Sequence, residues 1–242
     1  MIPAFEGVIA RRILLNFRAD PAVVRRIVPA PLELDLVNRH AVVGICLIRL
    51  ERLRPRGLPA WLGLASENMA HRFAVRIPRD DTFSPGVYIA RRDTVSRLVS
   101  AFGGRTFPGF HHVAKFDVAD TPDRLDIAIR TASGEADVHF AARPTDHWPD
   151  SRLFTDLAAA SRFFEQGACG YSCARDGRRL EGLELRTLHW SVRPLAVESL
   201  HAAFFDDALR FPAGSIAFDH ALIMREIPHQ WHSLPGLAVA TA

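Results

Sequence analysis

Residues 85–118, PGVYIARRDTVSRLVSAFGGRTFPGFHHVAKFDV, form the stretch that decides the predicted fold. A Pro-Gly turn opens it and leads into an apolar run over 87–90, which has the length of a β-strand. Apolar residues then recur at helical spacing over 95–102, and the diglycine at 103–104 is a typical helix end. A second extended run follows over 110–118. Strand, short helix, glycine loop and strand together predict a unit that places polar groups at the mouth of a core.

Further strands are predicted on both sides of this stretch. Period-two alternation or continuous apolar runs of strand length occur over 13–17, 32–36, 41–50, 68–77, 125–131, 136–143, 170–174, 180–188, 189–194 and 221–227. Other helices are predicted over 22–28 and 151–166, and a short helix or helical loop over 197–209. Most connections are too short to hold a helix between successive strands, which excludes a doubly wound α/β fold.

We therefore predict a mainly β (α+β) protein, an antiparallel β barrel or sandwich with a few short helices. No repeat or linker divides the 242 residues, so we expect one domain over 1–242. No apolar run is long enough to span a bilayer, and Glu6, Arg11 and Arg12 interrupt the region where a signal peptide needs an apolar centre. A cytoplasmic location without a membrane partner is expected.

Arginine carries most of the positive charge. The net charge is +3, and it divides into +7 over 1–121 and −4 over 122–242. A basic half can favour anionic ligands or nucleic acid. The arginines are dispersed along the chain rather than clustered with aromatic residues, so no nucleic-acid partner is expected.

The cysteines and histidines do not predict a cofactor or a metal. Cys46, Cys169 and Cys173 are too few for a disulfide framework, and the C-x-x-x-C pair has no second pair, which favours free thiols. His229 and His232 lie between two prolines without an acid at ligand spacing. No Walker, Rossmann or nucleophile-elbow motif occurs.

Polar residues at strand ends are the candidates for a ligand site, because strand ends form the mouth of a closed sheet. Glu67 and Asn68 open one predicted strand, and Asp93 follows another. Turn and capping chemistry is the alternative explanation for these three. Arg97 and Arg105 lie on or after the predicted helix, where their guanidinium groups could bind a carboxylate in bidentate fashion.

Lys115, the only lysine of the chain, is the candidate catalytic residue. A lysine desolvated in a cavity can attack a carbonyl carbon. The alternative is a surface ammonium beside Asp117, since residues two apart in a strand share a face.

Several segments resemble a known superfamily. FRADP at 17–21 and VPAPLELD at 28–35 are similar to the opening shared by acetoacetate decarboxylase-like proteins. Within that superfamily, the chain resembles the YqjF-like branch, also known as domain of unknown function 2071 (DUF2071). The similar segments are RPRGLP at 54–59, Glu67-Asn68, PGVY at 85–88, Asp93 and Ser96-Arg97. The resemblance covers most of the chain and implies a cone-shaped, mainly antiparallel β barrel with a cavity.

The resemblance also shows a departure from the decarboxylases. They carry two adjacent lysines after a segment similar to 99–102, one of which forms a Schiff base while the other lowers its pKa. In this chain the corresponding stretch is Gly103-Gly104-Arg105, and Lys115 lies ten residues further on. The glutamate of the decarboxylase strand is replaced by Val42. The resemblance therefore implies the fold without the Schiff-base chemistry.

Three functional hypotheses follow. The leading one is a small-molecule-binding barrel for a small organic or anionic metabolite. The second is a decarboxylase, aldolase or dehydratase that uses Lys115, with a lyase-like activity. The third is an interaction module without a ligand, which a solidly packed interior would favour. The sequence leaves open whether the chain is an enzyme and whether it forms a homo-oligomer.

Overall fold

The computed structural model describes residues 4–96 and 109–239. These ranges hold one sheet of 13 strands. The strands are β1 (Phe5–Ala19), β2 (Glu33–Leu34), β3 (Leu36–Val37), β4 (His40–Pro55), β5 (Leu64–Arg79), β6 (Thr82–Thr94), β7 (His111–Asp120), β8 (Leu125–Thr131), β9 (Val138–Pro144), β10 (Cys169–Cys173), β11 (Arg179–Thr187), β12 (Arg193–Ala202) and β13 (Ile216–Ala238). The helices are α1 (Pro21–Val24), α2 (Leu157–Gln166) and α3 (Ala203–Asp206), with a 3-10 turn at Ala60–Leu62.

The strand pairings close the sheet into two rings. The larger ring runs β6-β7-β8-β9-β12-β13-β1-β4-β5 and returns to β6. The smaller ring runs β6-β10-β11-β13-β1-β4-β5 and returns to β6. It therefore shares β6, β13, β1, β4 and β5 with the larger ring. The 23-residue strand β13 serves both rings, because 221–223 pair with β12 while 229–238 pair with β11. The chain is therefore mainly β, as the sequence predicts.

The shared strands are buried on both faces, which is why they read as apolar runs. On one face of β1, Ile13, Leu15 and Phe17 pack into a core that also contains residues of β8, β9 and β12. This core fills the larger ring. The alternate residues of β1, such as Leu14, pack elsewhere, against Leu153, Phe154 and Phe164. Because successive side chains of a strand point to opposite faces, each shared strand contributes side chains to two separate interiors.

His71 is a buried polar residue of the larger ring. Its side chain is fully buried, and its ring centroid lies 4.3 Å from that of Phe204 on α3. Neither ring nitrogen has a hydrogen-bond partner within the described ranges. Burial, together with the charges of Arg91 and Arg210, lowers the pKa of His71 to about 3, so the imidazole is neutral at pH 7.

Three helix predictions differ from the structure, and in the one over 151–166 the helix α2 begins only at Leu157. The predicted helix over 197–209 was wrong for most of its length, because β12 extends to Ala202 in antiparallel pairing with β9 and leaves only the single turn α3. The first helix is shorter than predicted and ends at Val24. Asp20 caps its start by accepting a hydrogen bond from the Ala22 N–H at 2.8 Å. The predicted helix over 95–102 lies largely outside the described residues. Within those residues, no helix has the length and apolar character that a membrane span requires.

Candidate functional site

A cavity of about 130 Å³ lies inside the smaller ring. Every strand of that ring contributes at least one lining residue, and the end of the α2 segment adds Gly167 and Ala168. Most of the lining is apolar and includes Ile48, Leu50, Ala70, Val87, Ile89, Leu183 and Leu185. A water molecule takes about 30 Å³ of liquid volume. The cavity is therefore of a size for a ligand with few non-hydrogen atoms.

The apolar run over 87–90 predicts that Val87 and Ile89 lie in the β core. Both side chains are instead half-buried, because they face the cavity. Tyr88, which points the other way, is buried in the core.

Three arginines line the cavity from three different strands. Arg12 of β1 donates a hydrogen bond from Nε to the sulfur of Cys46 at 3.3 Å. Arg92 of β6 donates from Nε to the hydroxyl of Ser172 at 3.2 Å. Burial lowers the pKa of Arg92 to about 10, which still leaves the guanidinium charged at pH 7.

Arg72 is the most deeply buried of the three. Its side chain lies on β5, donates to the amide oxygen of Asn16, and stands over the Phe164 ring with 4.8 Å between the guanidinium carbon and the ring centroid. Its Nε has no hydrogen-bond partner within the described ranges. Burial, with a smaller contribution from the charge of Arg12, lowers the pKa of Arg72 to about 10.

The positive charge in the cavity is not balanced by acids. The hydrogen bonds of Arg12, Arg72 and Arg92 end on a thiol, an amide and a hydroxyl, and none of those described ends on a carboxylate. Asp93 is the one acid among the described lining residues, and both of its oxygens accept hydrogen bonds from Arg91 at 3.0–3.1 Å. Burial raises the pKa of Asp93, and the bonded Arg91 opposes that shift. The site is thus electropositive.

His111 completes the polar lining. It is the first residue of β7 and is largely buried. Burial, with the neighbouring charge of Arg92, lowers its pKa to about 3, so this imidazole is also neutral at pH 7.

The structure separates Glu67 from the other candidate ligand residues. Asn68 and Asp93 both line the cavity, whereas Glu67 points to the opposite face of β5, as adjacent residues of a strand do. There the Glu67 carboxylate forms ion pairs with Arg11 at 2.7 Å and with Arg49 at 3.3 Å. Asn68 itself accepts a hydrogen bond from Thr94 at 2.8 Å and so helps to hold β5 against β6.

The remaining predicted residues do not reach the cavity or lie outside the described residues. Lys115 is exposed on β7, opposite Arg130 of β8, and is not among the residues that line the cavity. A lysine that forms an imine has to be largely neutral, and this exposed position supplies no desolvation. Arg97 and Arg105 fall in the range 97–108, which the structure does not describe.

Sequence reasoning missed the arginines that define the site. One signal was present, because Arg72 interrupts the predicted strand 68–77 between His71 and Phe73 with no turn nearby. A charged residue in the middle of a strand with two buried faces requires a partner or a polar cavity. Within the described ranges, no group of three or more His, Cys, Asp or Glu side chains is arranged to hold a metal ion.

Comparison with solved structures identifies the fold. An acetoacetate decarboxylase from Legionella pneumophila superposes with a TM-score of 0.62 at 17% identity, covering 98% of this chain and 87% of that one. An acetoacetate decarboxylase-like enzyme from Sphingomonas wittichii RW1 gives 0.62 at 11% identity, covering 100% and 95%. The enduracididine biosynthesis enzyme MppR in complex with pyruvate gives 0.57 at 13% identity, covering 98% and 90%. The chain therefore has the acetoacetate decarboxylase-like fold.

The family follows from the sequence itself. The model of the DUF2071 family, described as an uncharacterized conserved protein, matches residues 9–220. The chain belongs to this family, and the resemblance seen in its motifs is confirmed. No curated protein matches the chain in sequence.

Proposed function

We propose that this protein binds a small organic anion in the cavity of the smaller ring and that it does so without forming a Schiff base. The observation that carries the proposal is Arg72, which is only 4% exposed, lines the cavity and has no carboxylate partner in the described part of the chain. Burying an unpaired charge is costly. A bound anion would offset that cost, because it would replace the solvent that the guanidinium has lost.

The arrangement suits a carboxylate in particular. Guanidinium groups bind carboxylates through short, charge-assisted hydrogen bonds, often two at a time. Arg12 and Arg92 add positive charge from neighbouring strands, and the apolar lining supplied by Val87, Ile89 and other residues accepts a short carbon chain. MppR, which has the same fold, holds pyruvate, a carboxylate with six non-hydrogen atoms. The size of the cavity agrees with a ligand of that class.

The two alternatives have less support. An imine-forming enzyme would need an amine in the cavity, yet the only lysine of the chain is exposed on β7. Trapping with borohydride after incubation with acetoacetate should therefore give no added mass, and an adduct that Lys115→Arg removes would overturn this part of the proposal. An interaction module without a ligand would need a packed interior, whereas the smaller ring encloses a cavity.

The proposal is tested by calorimetric titration and thermal melting with pyruvate, using its uncharged methyl ester as the comparison ligand. Arg72→Met should weaken pyruvate binding by at least about tenfold, since a hydrogen bond to a charged group contributes about 1.5–3 kcal/mol. The matched control is Arg76→Met, because Arg76 lies on the same strand but is exposed and paired with Glu33. Equal binding of the ester, or equal losses in both variants, would refute the proposal.

A further inference from the structure

A thiol stands beside the three arginines of the cavity. Cys46 lies on β4 between the neighbouring strands β1 and β5, opposite Leu14 and Ala70. Its side chain lines the cavity, and its sulfur accepts the hydrogen bond from Arg12 Nε at 3.3 Å. The buried guanidinium of Arg72, whose Nε has no partner among the described residues, lines the same cavity. A nucleophilic atom and an anion-binding group therefore share one small space.

We propose that Cys46 is a covalent modification site for small carboxylates that carry an electrophilic carbon. The inference rests on the proposed function, because the arginines must first draw the carboxylate into the cavity. Cys46 and Arg72 line the same space of about 130 Å³, so a small carboxylate bound to the guanidinium is confined to the space that the sulfur also lines. Holding two reactants together in this way raises their effective concentration and hence the rate of reaction.

Selectivity for anions distinguishes this thiol from an ordinary buried cysteine. A cleft lined by one sign of charge raises the local concentration of oppositely charged reagents by about 10- to 1,000-fold. A neutral reagent of the same size gains nothing from the arginines. Cys46 should therefore prefer a charged electrophile over its neutral counterpart, although the side chain is only 8% exposed.

The chain offers an internal control in Cys169. That thiol is half-buried at the start of β10 and does not belong to the cavity lining. Burial and the carboxylate of Glu184 raise its pKa, and more weakly Arg79 opposes them. Arg186, the second cation near this thiol, is paired with Glu184 at 2.7 Å, whereas the hydrogen bonds described for the three cavity arginines do not end on a carboxylate.

The test compares alkylation by iodoacetate with alkylation by iodoacetamide, followed for each cysteine by peptide mass spectrometry. In both reactions the sulfur forms a bond to the methylene carbon as the carbon–iodine bond breaks. Iodide leaves with the electron pair, and the thiol proton passes to solvent. The rate constant for iodoacetate divided by that for iodoacetamide should be at least about tenfold higher at Cys46 than at Cys169.

Arg72→Met should lower the ratio at Cys46 to that of Cys169, and pyruvate should protect Cys46 in the unchanged chain. Arg12→Gln, at a half-buried position, provides a second variant if the first does not fold. Equal ratios at the two cysteines, or a Cys46 that reacts with neither reagent, would overturn the inference.

Measuring pyruvate binding to Cys46→Ser distinguishes a failure of this inference from a failure of the proposed function. If pyruvate raises the melting temperature of Cys46→Ser while the alkylation ratios are equal, the result supports anion binding in the cavity and refutes the modification site at Cys46. If pyruvate stabilises neither chain and the ratios are equal, both fall.

Discussion

The same substitution should destabilise this protein at one buried arginine and leave its stability nearly unchanged at another. Arg11 and Arg72 are 2% and 4% exposed, and each projects from a strand shared by both rings. Arg11 donates hydrogen bonds to Glu67 at 2.7 Å and to Asp120 at 3.0 Å. Removing one partner of a buried ion pair costs about 3–5 kcal/mol, and we expect the lower end of that range here because Glu67 keeps its ion pair with Arg49 and Asp120 keeps its ion pair with Arg225. We therefore expect Arg11→Met to lower the free energy of unfolding by about that amount.

Arg72→Met removes a charge that lacks a carboxylate partner in the described part of the chain. The fall in the pKa of Arg72 from 12.5 to about 10 corresponds to about 3 kcal/mol of unfavourable burial at about 1.4 kcal/mol per pKa unit. Methionine relieves that cost. It also removes the contact with the Phe164 ring, worth about 1–2 kcal/mol, and leaves the Asn16 amide oxygen without its donor, at about 1–3 kcal/mol. The two losses together amount to about 2–5 kcal/mol against the relief of about 3 kcal/mol, so the stability should stay within about 2 kcal/mol of the original.

Urea unfolding followed by tryptophan fluorescence measures both variants under the same conditions. For a chain of this size, the loss expected for Arg11→Met corresponds to a fall in melting temperature of about 10 °C. Arg72→Met should melt close to the unchanged protein and yet lose pyruvate binding. Equal destabilisation of both variants would show that Arg72 has a structural role like that of Arg11, and would refute the argument that its charge is kept for a ligand.

Two further predictions concern the core. Because the folded-state pKa of His71 is about 3 and its ordinary value is 6.5, the unfolded chain binds the extra proton between these values, and stability falls by about 1.4 kcal/mol per pH unit as the pH drops below about 6.5. His71→Phe should remove that contribution from the pH dependence of urea unfolding between pH 4.5 and 7, and an unaltered slope would contradict the neutral buried imidazole. A Cβ at Gly44 would overlap the carbonyl oxygen of Leu15, so Gly44→Ala should cost about 1–3 kcal/mol. The control Gly167→Ala, whose new carbon would lie 3.6 Å from the nearest atom, should change stability much less, and equal costs would exclude the steric explanation.

The strands were predictable wherever their burial pattern was regular. The apolar run 41–50 indicates a strand buried on both faces, and β4 has both faces buried because both rings share it. The helix predicted over 197–209 failed for a physical reason. The pairing of β12 with β9 shifts register between Val197 and Ser199, so the period-two alternation that marks a strand is broken there.

The candidate site was only partly predictable. Asp93 lines the cavity from near the end of β6 and Asn68 from the fifth position of β5, but the neighbouring Glu67 faces the other interior. Which of two adjacent polar residues faces a ligand depends on strand register, and that is fixed by pairing rather than by composition. The grouping of Arg12, Arg72 and Arg92 depends on the order of strand pairing, because β1 is far from β5 and β6 in sequence and is brought beside them by β4.

The strands shared by both rings carry two sets of residues, one in the packed core and one facing the cavity, and the two sets can be substituted independently. On β4 and β5, Leu47 and Phe73 belong to the packed core, whereas Ile48 and Ala70 face the cavity. Substitutions confined to the cavity-facing positions can alter which ligand is accepted without disturbing the packing of the larger ring. A library randomised at Ile48, Ala70 and the positions beside them would therefore explore new specificities on one unchanged scaffold, which offers a route by which such a fold diversifies.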